Sequence, residues 1–183
     1  KKQQIYLKNK KIMANNQPHS SLFVVPSDTI NIPQPGILTS GTQNSTSGTA
    51  VLTDASQDFT TSVTNANGYN VRGGILYQAY TGAFPGSVNV IVNISAPTEL
   101  KTTNNTTAAA VGNPYTIYSP NQDGKTSFTL FVGSGGAATT LRVLTAAGDD
   151  VTLTNVPDSS FIPLQVVRVF ATGTNCSEIL ALY

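Results

Sequence analysis

Gly124-Lys125-Thr126 end like a phosphate-binding loop. Such a loop needs another glycine five residues earlier, and position 119 is Ser. A strand-like run follows instead of a helix, so no helix N-terminus would face a phosphate. Gly133-x-Gly135-x-x-Ala138 imitates a dinucleotide fingerprint. The next dozen residues are rich in β-branched types and leave no βαβ unit, so a turn accounts for these glycines. His19 is the single histidine and sits in a polar stretch, too little for a Ser-His-Asp relay or an imidazole metal site. Asp149-Asp150 could ligate Ca²⁺, but adjacent strand residues point to opposite faces and a polar turn explains them as well. Cys176 stands alone, which excludes an intrachain disulfide and a Cys-based metal site. Glycosidase chemistry would need two carboxylates across a cleft with sugar-stacking aromatics, and Trp is absent. Tyr69, Tyr77 and Tyr80, with Tyr115 and Tyr118, are the remaining aromatic candidates, either for a carbohydrate platform or for the rim of a small barrel. The reading is non-enzymatic, with no catalytic, cofactor-binding or metal-binding residue and no cofactor.

The elements that would carry these residues are strands. Only 10% of the 183 residues are charged, against roughly 25% in ordinary domains, so no helix with a solvated charged face can be written. Thr and Val suit pleated surfaces, and Asn, Gly and Pro mark turns. Five of the ten basic residues are Lys1, Lys2, Lys8, Lys10 and Lys11; from Met13 onward five basic face nine acidic residues. The basic pI is set by that tail, and without it no patch exists to neutralise nucleic acid. Residues 1–12 read as a translated leader ahead of Met13, or as a basic arm touching nucleic acid or an acidic partner. No apolar run approaches the roughly 18 residues of a membrane helix, and Leu22–Val25 is too short for a secretory signal.

Phe128, Leu130 and Val132 alternate with Thr129 and Phe131. Leu141, Val143 and Val151, Leu153 flank Ala146–Asp150, a hairpin signal. Leu164 to Phe170 is apolar on both parities, so both faces of that strand need cover. Another strand of the same chain or a neighbouring subunit could supply that cover; the low net charge favours a neighbour, with Phe161, Ile162, Pro163, Leu164 and Arg168 as the interface and Arg168 able to hold a carboxylate across it. Ile179 to Tyr183 ends the chain on an apolar strand. Val88, Val90, Val92 and Ile94, alternating with Asn89, Ile91 and Asn93, read as a half-buried strand with the valines inward. Thr39–Thr49 and Ser119–Gly124 read as flexible linkers. Between them lies an expected independent unit with a private apolar set: Val71, Ile75, Val88, Val90, Val92 and Ile117.

The succession Leu130–Gly136 (LFVGSGG), Asp149–Thr174 (DDVTLTNVPDSSFIPLQVVRVFATGT) and Ile179–Tyr183 (ILALY) resembles the C-terminal module of head spike-base or decoration proteins of tailed phages and gene transfer agents. Val25–Pro33 (VPSDTINIP) resembles the opening of the same family. In compact members that opening leads almost directly to the LYVG-like strand, so the residues between imply an insert. Ala50–Asp54 with Asp58-Phe59, Gly68–Tyr77 and Tyr115–Tyr118 resemble a small β-barrel module of phage structural proteins. The expectation is all-β: an antiparallel β-sandwich or jelly-roll-like base plus a small β-barrel insert. Its divisions are 1–12, an arm at 13–35, the insert at 36–118, a linker at 119–125 and the base at 126–183. The resemblance implies a structural virion protein of a bacteriophage, a capsid decoration or head spike base. It would be assembled in the host cytoplasm as a homo-oligomer, with the major capsid protein, another virion structural protein or a fibre protein as partner. Nucleic acid and membrane are not expected partners. A neck, tail or baseplate component, and a carbohydrate-binding adhesion module with Tyr69, Tyr77 and Tyr80 at its rim, are the alternatives.

Overall fold

A computed structural model describes residues 18, 20–44, 50–60, 71–78, 86–104, 112–121 and 123–183. The described chain is all-β, without a helix, in twelve strands: β1 (Ser21–Phe23), β2 (Ile37–Thr42), β3 (Val51–Thr53), β4 (Ile75–Gln78), β5 (Ser87–Ala96), β6 (Glu99–Thr102), β7 (Pro114–Tyr118), β8 (Phe128–Ser134), β9 (Thr140–Thr145), β10 (Asp150–Thr154), β11 (Ser160–Val169) and β12 (Ser177–Leu182). They form two six-stranded antiparallel sheets, ordered β1-β12-β8-β11-β9-β10 and β2-β7-β4-β5-β6-β3.

The first, or base, sheet places β1 beside the last strand, pairing Leu22 with Ala181 and Phe23 with Leu180. One face follows the alternation of the sequence: Phe128, Leu130, Val132, Leu141, Val143, Ile162, Ile179 and Ala181 are all buried. The Ala146–Asp149 turn joins β9 to β10 as a hairpin, pairing Val143 with Val151 and Leu141 with Leu153. Gly135 lies so close to the carbonyls of Val156 and Pro157 that a Cβ there would collide with backbone. That approach, not a nucleotide, explains the glycine run. Pro163 falls where β11 slips register against β8, between Ile162 and Val166, a place where a missing N–H costs no ladder bond.

The strand apolar on both parities is covered by the chain itself, the first of the two expected covers and not the favoured neighbour. Val166, Val167 and Val169 are buried. Beyond the slip, β11 has β9 on one side, and on the other the arm, where Ser27 N–H donates to the Val169 carbonyl and Ile32 N–H to that of Val167. The Ser27 hydroxyl accepts from the Thr29 and Ile30 amides and turns the arm into place.

The second, or insert, sheet curls until its two edge strands meet. Asn44 N–H, just past β2, donates to the Thr53 carbonyl of β3, while Thr42 N–H and the Tyr115 hydroxyl donate to Asp54 Oδ2. Thr39–Thr49 is therefore not a flexible linker in its described part, since β2 spans Ile37–Thr42 and Gln43 is fully buried. Residues 45–49 lie outside the described residues. Thr, Ser and Gly suffice for a strand whose ladder to β7 is formed by backbone.

Strand β5 has the parity opposite to expectation. Ser87, Asn89 and Ile91 are buried, whereas Val92 is 46% exposed. The interior is polar here: Ser87 Oγ donates to Gln78 Oε1, and Gln78 Nε2 donates to Gln43 Oε1. Val88 instead packs on the base core with Tyr77 and Tyr118, so the insert's apolar set is not private. Its own core holds Leu52, Phe59, Val71, Leu76, Ile91, Leu100, Tyr115 and Ile117.

The two crossings between the sheets are pinned to each other, so Ser119–Gly124 is not a free linker either. Asn121 is fully buried; its Nδ2 donates to the Ile32 and Thr126 carbonyls, and its Oδ1 accepts from Thr126 N–H. Asn31 Nδ2 donates to the Asn121 carbonyl, and Gln34 N–H to that of Ser119.

Candidate docking surface

Register across four neighbouring base strands puts Phe23 opposite Leu180, Leu180 opposite Phe131 and Phe131 opposite Phe161. Residues directly opposite share a face, so these four side chains form one row across β1, β12, β8 and β11. Their sequence neighbours Leu22, Leu130, Ile162, Ile179 and Ala181 fill the inner face, so the row lies on the outer one. Phe161 is 65% exposed, and its ring meets Phe131 edge-on at 5.1 Å between centroids. Beside Phe23, a groove of about 270 Å³ opens between Val24–Pro26 and Cys176–Ile179.

The expected interface residues divide among different roles. Phe161 and Pro163 point outward; Ile162 is buried in the base core, and Leu164 packs against it. Arg168 is engaged within its own chain: its Nε donates to Asn31 Oδ1 and its Nη1 to the Asp28 carbonyl, both of the arm. The Asp28 carboxylate accepts in turn from the Thr172 amide and hydroxyl, which hold it below the usual carboxylate range.

The tyrosine platform is corrected where it can be seen. Tyr77 is 5% exposed at the junction of the sheets, where burial pushes its phenol well up and removes its ring from a sugar's reach. Tyr115 is buried on Asp54. Tyr69 and Tyr80 lie outside the described residues, as does His19.

Asp150 binds Arg142 through both oxygens, while Asp149 lies in the Thr145–Asp149 turn, so the pair does not converge on an ion. No cluster of three or more potential metal ligands occurs among the described residues. Lys125 pairs with Asp123 at 2.9 Å in solvent. Burial raises the Cys176 thiol, which disfavours the reactive thiolate.

Sequence reasoning missed Phe23, Phe131 and Leu180. Each alternates with a buried neighbour, but only the pairing of β1 with β12 and of β12 with β8 aligns them. It also missed Asn31 and Asn121, whose composition signal is that of any loop. Comparison of the chain with family models, curated proteins and solved structures gives no match.

Proposed function

We propose that this chain is a structural protein of a tailed-phage virion, a capsid decoration or head spike-base subunit that docks through the outer face of its base sheet. The observation that carries the reading is the Phe23–Leu180–Phe131–Phe161 row, an apolar band on a sheet whose inner face is already filled. Covering one Phe side chain contributes about 1.5–3 kcal/mol, so the row has a physical reason to meet a partner. The kind of particle comes from the resemblance of Leu130–Gly136, Asp149–Thr174 and Ile179–Tyr183 to spike-base proteins. The low charge supports it, because many copies can sit side by side without strong repulsion. On this reading the base sits against the capsid or another virion protein, and the insert, pinned at Asn121, stands off it at a fixed angle.

A cryo-EM map of the phage that encodes the chain tests the proposal. The expected result is density for the base sheet on the head shell with the Phe161 row facing the shell. Density on the neck, tail or baseplate would move the site of docking, and a particle lacking the chain would refute the reading.

A further inference from the structure

The two sheets have four edges: two approach each other, and a third is short. β2 and β3 meet each other through Asn44 and Thr53. β1 is three residues long and stops short of Pro26. β10 is different: five residues, Asp150-Val-Thr-Leu-Thr154, with no proline and no bulge in its pairing to β9. Natural sheets normally blunt such an edge.

The hairpin fixes which groups face out. Thr145 N–H donates to the Asp149 carbonyl, and Asn155 N–H to that of Thr139. Antiparallel bonds alternate, so Val151 and Leu153 also bond β9, while the N–H and C=O of Asp150, Thr152 and Thr154 point away from the sheet. Thr152 and Thr154 are exposed, and Val151 and Leu153 are half-buried against the base core.

We propose that β10 is an edge-to-edge interface with β10 of a second copy, antiparallel about a two-fold axis at Thr152. That register sets Thr152 against its own symmetry mate and Asp150 against Thr154, so no like charges stand opposite. It sets Val151 against Leu153 on the other face and carries the apolar seam of the core across the axis. Asp150 stays bonded to Arg142 of its own chain. A strand of another protein gains the same backbone bonds but not this self-matching order of side chains. The interface goes beyond the aromatic row, which spans β1, β12, β8 and β11 and leaves β10 free.

The test uses the full chain. Wild type is expected to be dimeric by light scattering. Thr152→Lys places two cations face to face and weakens the dimer by up to about fivefold; because Arg142 stands opposite Thr152 in its own chain, the readout is the dimer dissociation constant and not the melting temperature. In a Cys176→Ser background, Thr152→Cys is expected to give a covalent dimer on mild oxidation, since bonded antiparallel partners lie about 5.5 Å apart at Cα, within disulfide reach. Thr154→Cys, offset from its mate, is not. A wild type that stays monomeric, a dimer indifferent to Thr152→Lys, or equal cross-linking at both positions would overturn the proposal. Each is readable apart from the Phe161 row, which none of these changes touches.

Discussion

The two sheets use polar residues in opposite ways. The inner face of the base is built from Phe, Leu, Val and Ile, and the base keeps a further row of apolar side chains outside. The insert buries Gln43, Asp54, Gln78 and Ser87 in hydrogen bonds, and Asn44 N–H ties the end of β2 to the Thr53 carbonyl of β3. Buried polar groups hold shape only when their bonds are made, whereas apolar faces bind whatever covers them. On the proposed reading the base is the part that assembles, and the insert is a curled sheet whose Tyr77, Val88 and Tyr118 rest on the base core.

The contrast breaks most visibly at the base core. Leu130→Ala should cost about 2–5 kcal/mol, because Leu130 is fully buried between β12 and β11. Thermal or denaturant unfolding checks this.

At the joint, Asn121→Ala strips partners from the Ile32 carbonyl, the Thr126 amide and carbonyl, and Asn31 Nδ2 rests on its backbone alone. Leaving such groups buried should cost about 1–3 kcal/mol. Amide exchange should rise first around residues 31–33 and 121–126. Protection unchanged there would mean that the apolar contacts of Tyr77, Val88 and Tyr118 hold the joint alone.

Acid should separate the sheets chemically. Burial pushes Asp54 up, but the donors Ser56, Tyr115 and the Thr42 amide outweigh it and leave the carboxyl below its ordinary 3.8. A depressed folded value gives stability that is complete above the unfolded value and fades as pH falls through the folded one. The edge closure of the insert should therefore loosen below about pH 3.8, and Asp54→Asn should flatten that dependence. Exchange of the β2 and β3 amides against pH measures it. Gly41 belongs to the same arrangement, since a Cβ there would strike Asp54 Oδ2 and the Tyr115 hydroxyl.

The smallest effect is expected at Val92, where Val92→Thr should change stability by less than about 0.5 kcal/mol. Ile91→Thr, at a fully buried position, should cost several times more. Equal costs would contradict the observed parity of β5.

That pair of residues shows where the sequence was legible. In the base, hydrophobicity and burial coincide, so Phe128–Val132 and the Leu141–Leu153 hairpin could be read by alternation. In β5 they diverge: Val88 faces the other sheet, Val92 faces solvent, and Asn89 faces inward. No single-strand pattern carries that information. The docking row was half legible. Phe161 stood out, but its three companions depend on a nonlocal pairing that brings residues 21–23 against 180–182. Arg168 was visible as a rare cation, yet its partners Asn31 and Asp28 lie some 140 positions away and are ordinary turn residues.

The central claim is that the base docks through its outer aromatic row, and Phe161→Ser tests it most directly. The side chain is mostly exposed, so the variant should melt with the wild type. Its affinity for particles stripped of this protein should fall by about tenfold or more, the equivalent of one Phe left uncovered. A variant that unfolds, or one that melts normally and binds such particles as tightly as wild type, would contradict the account.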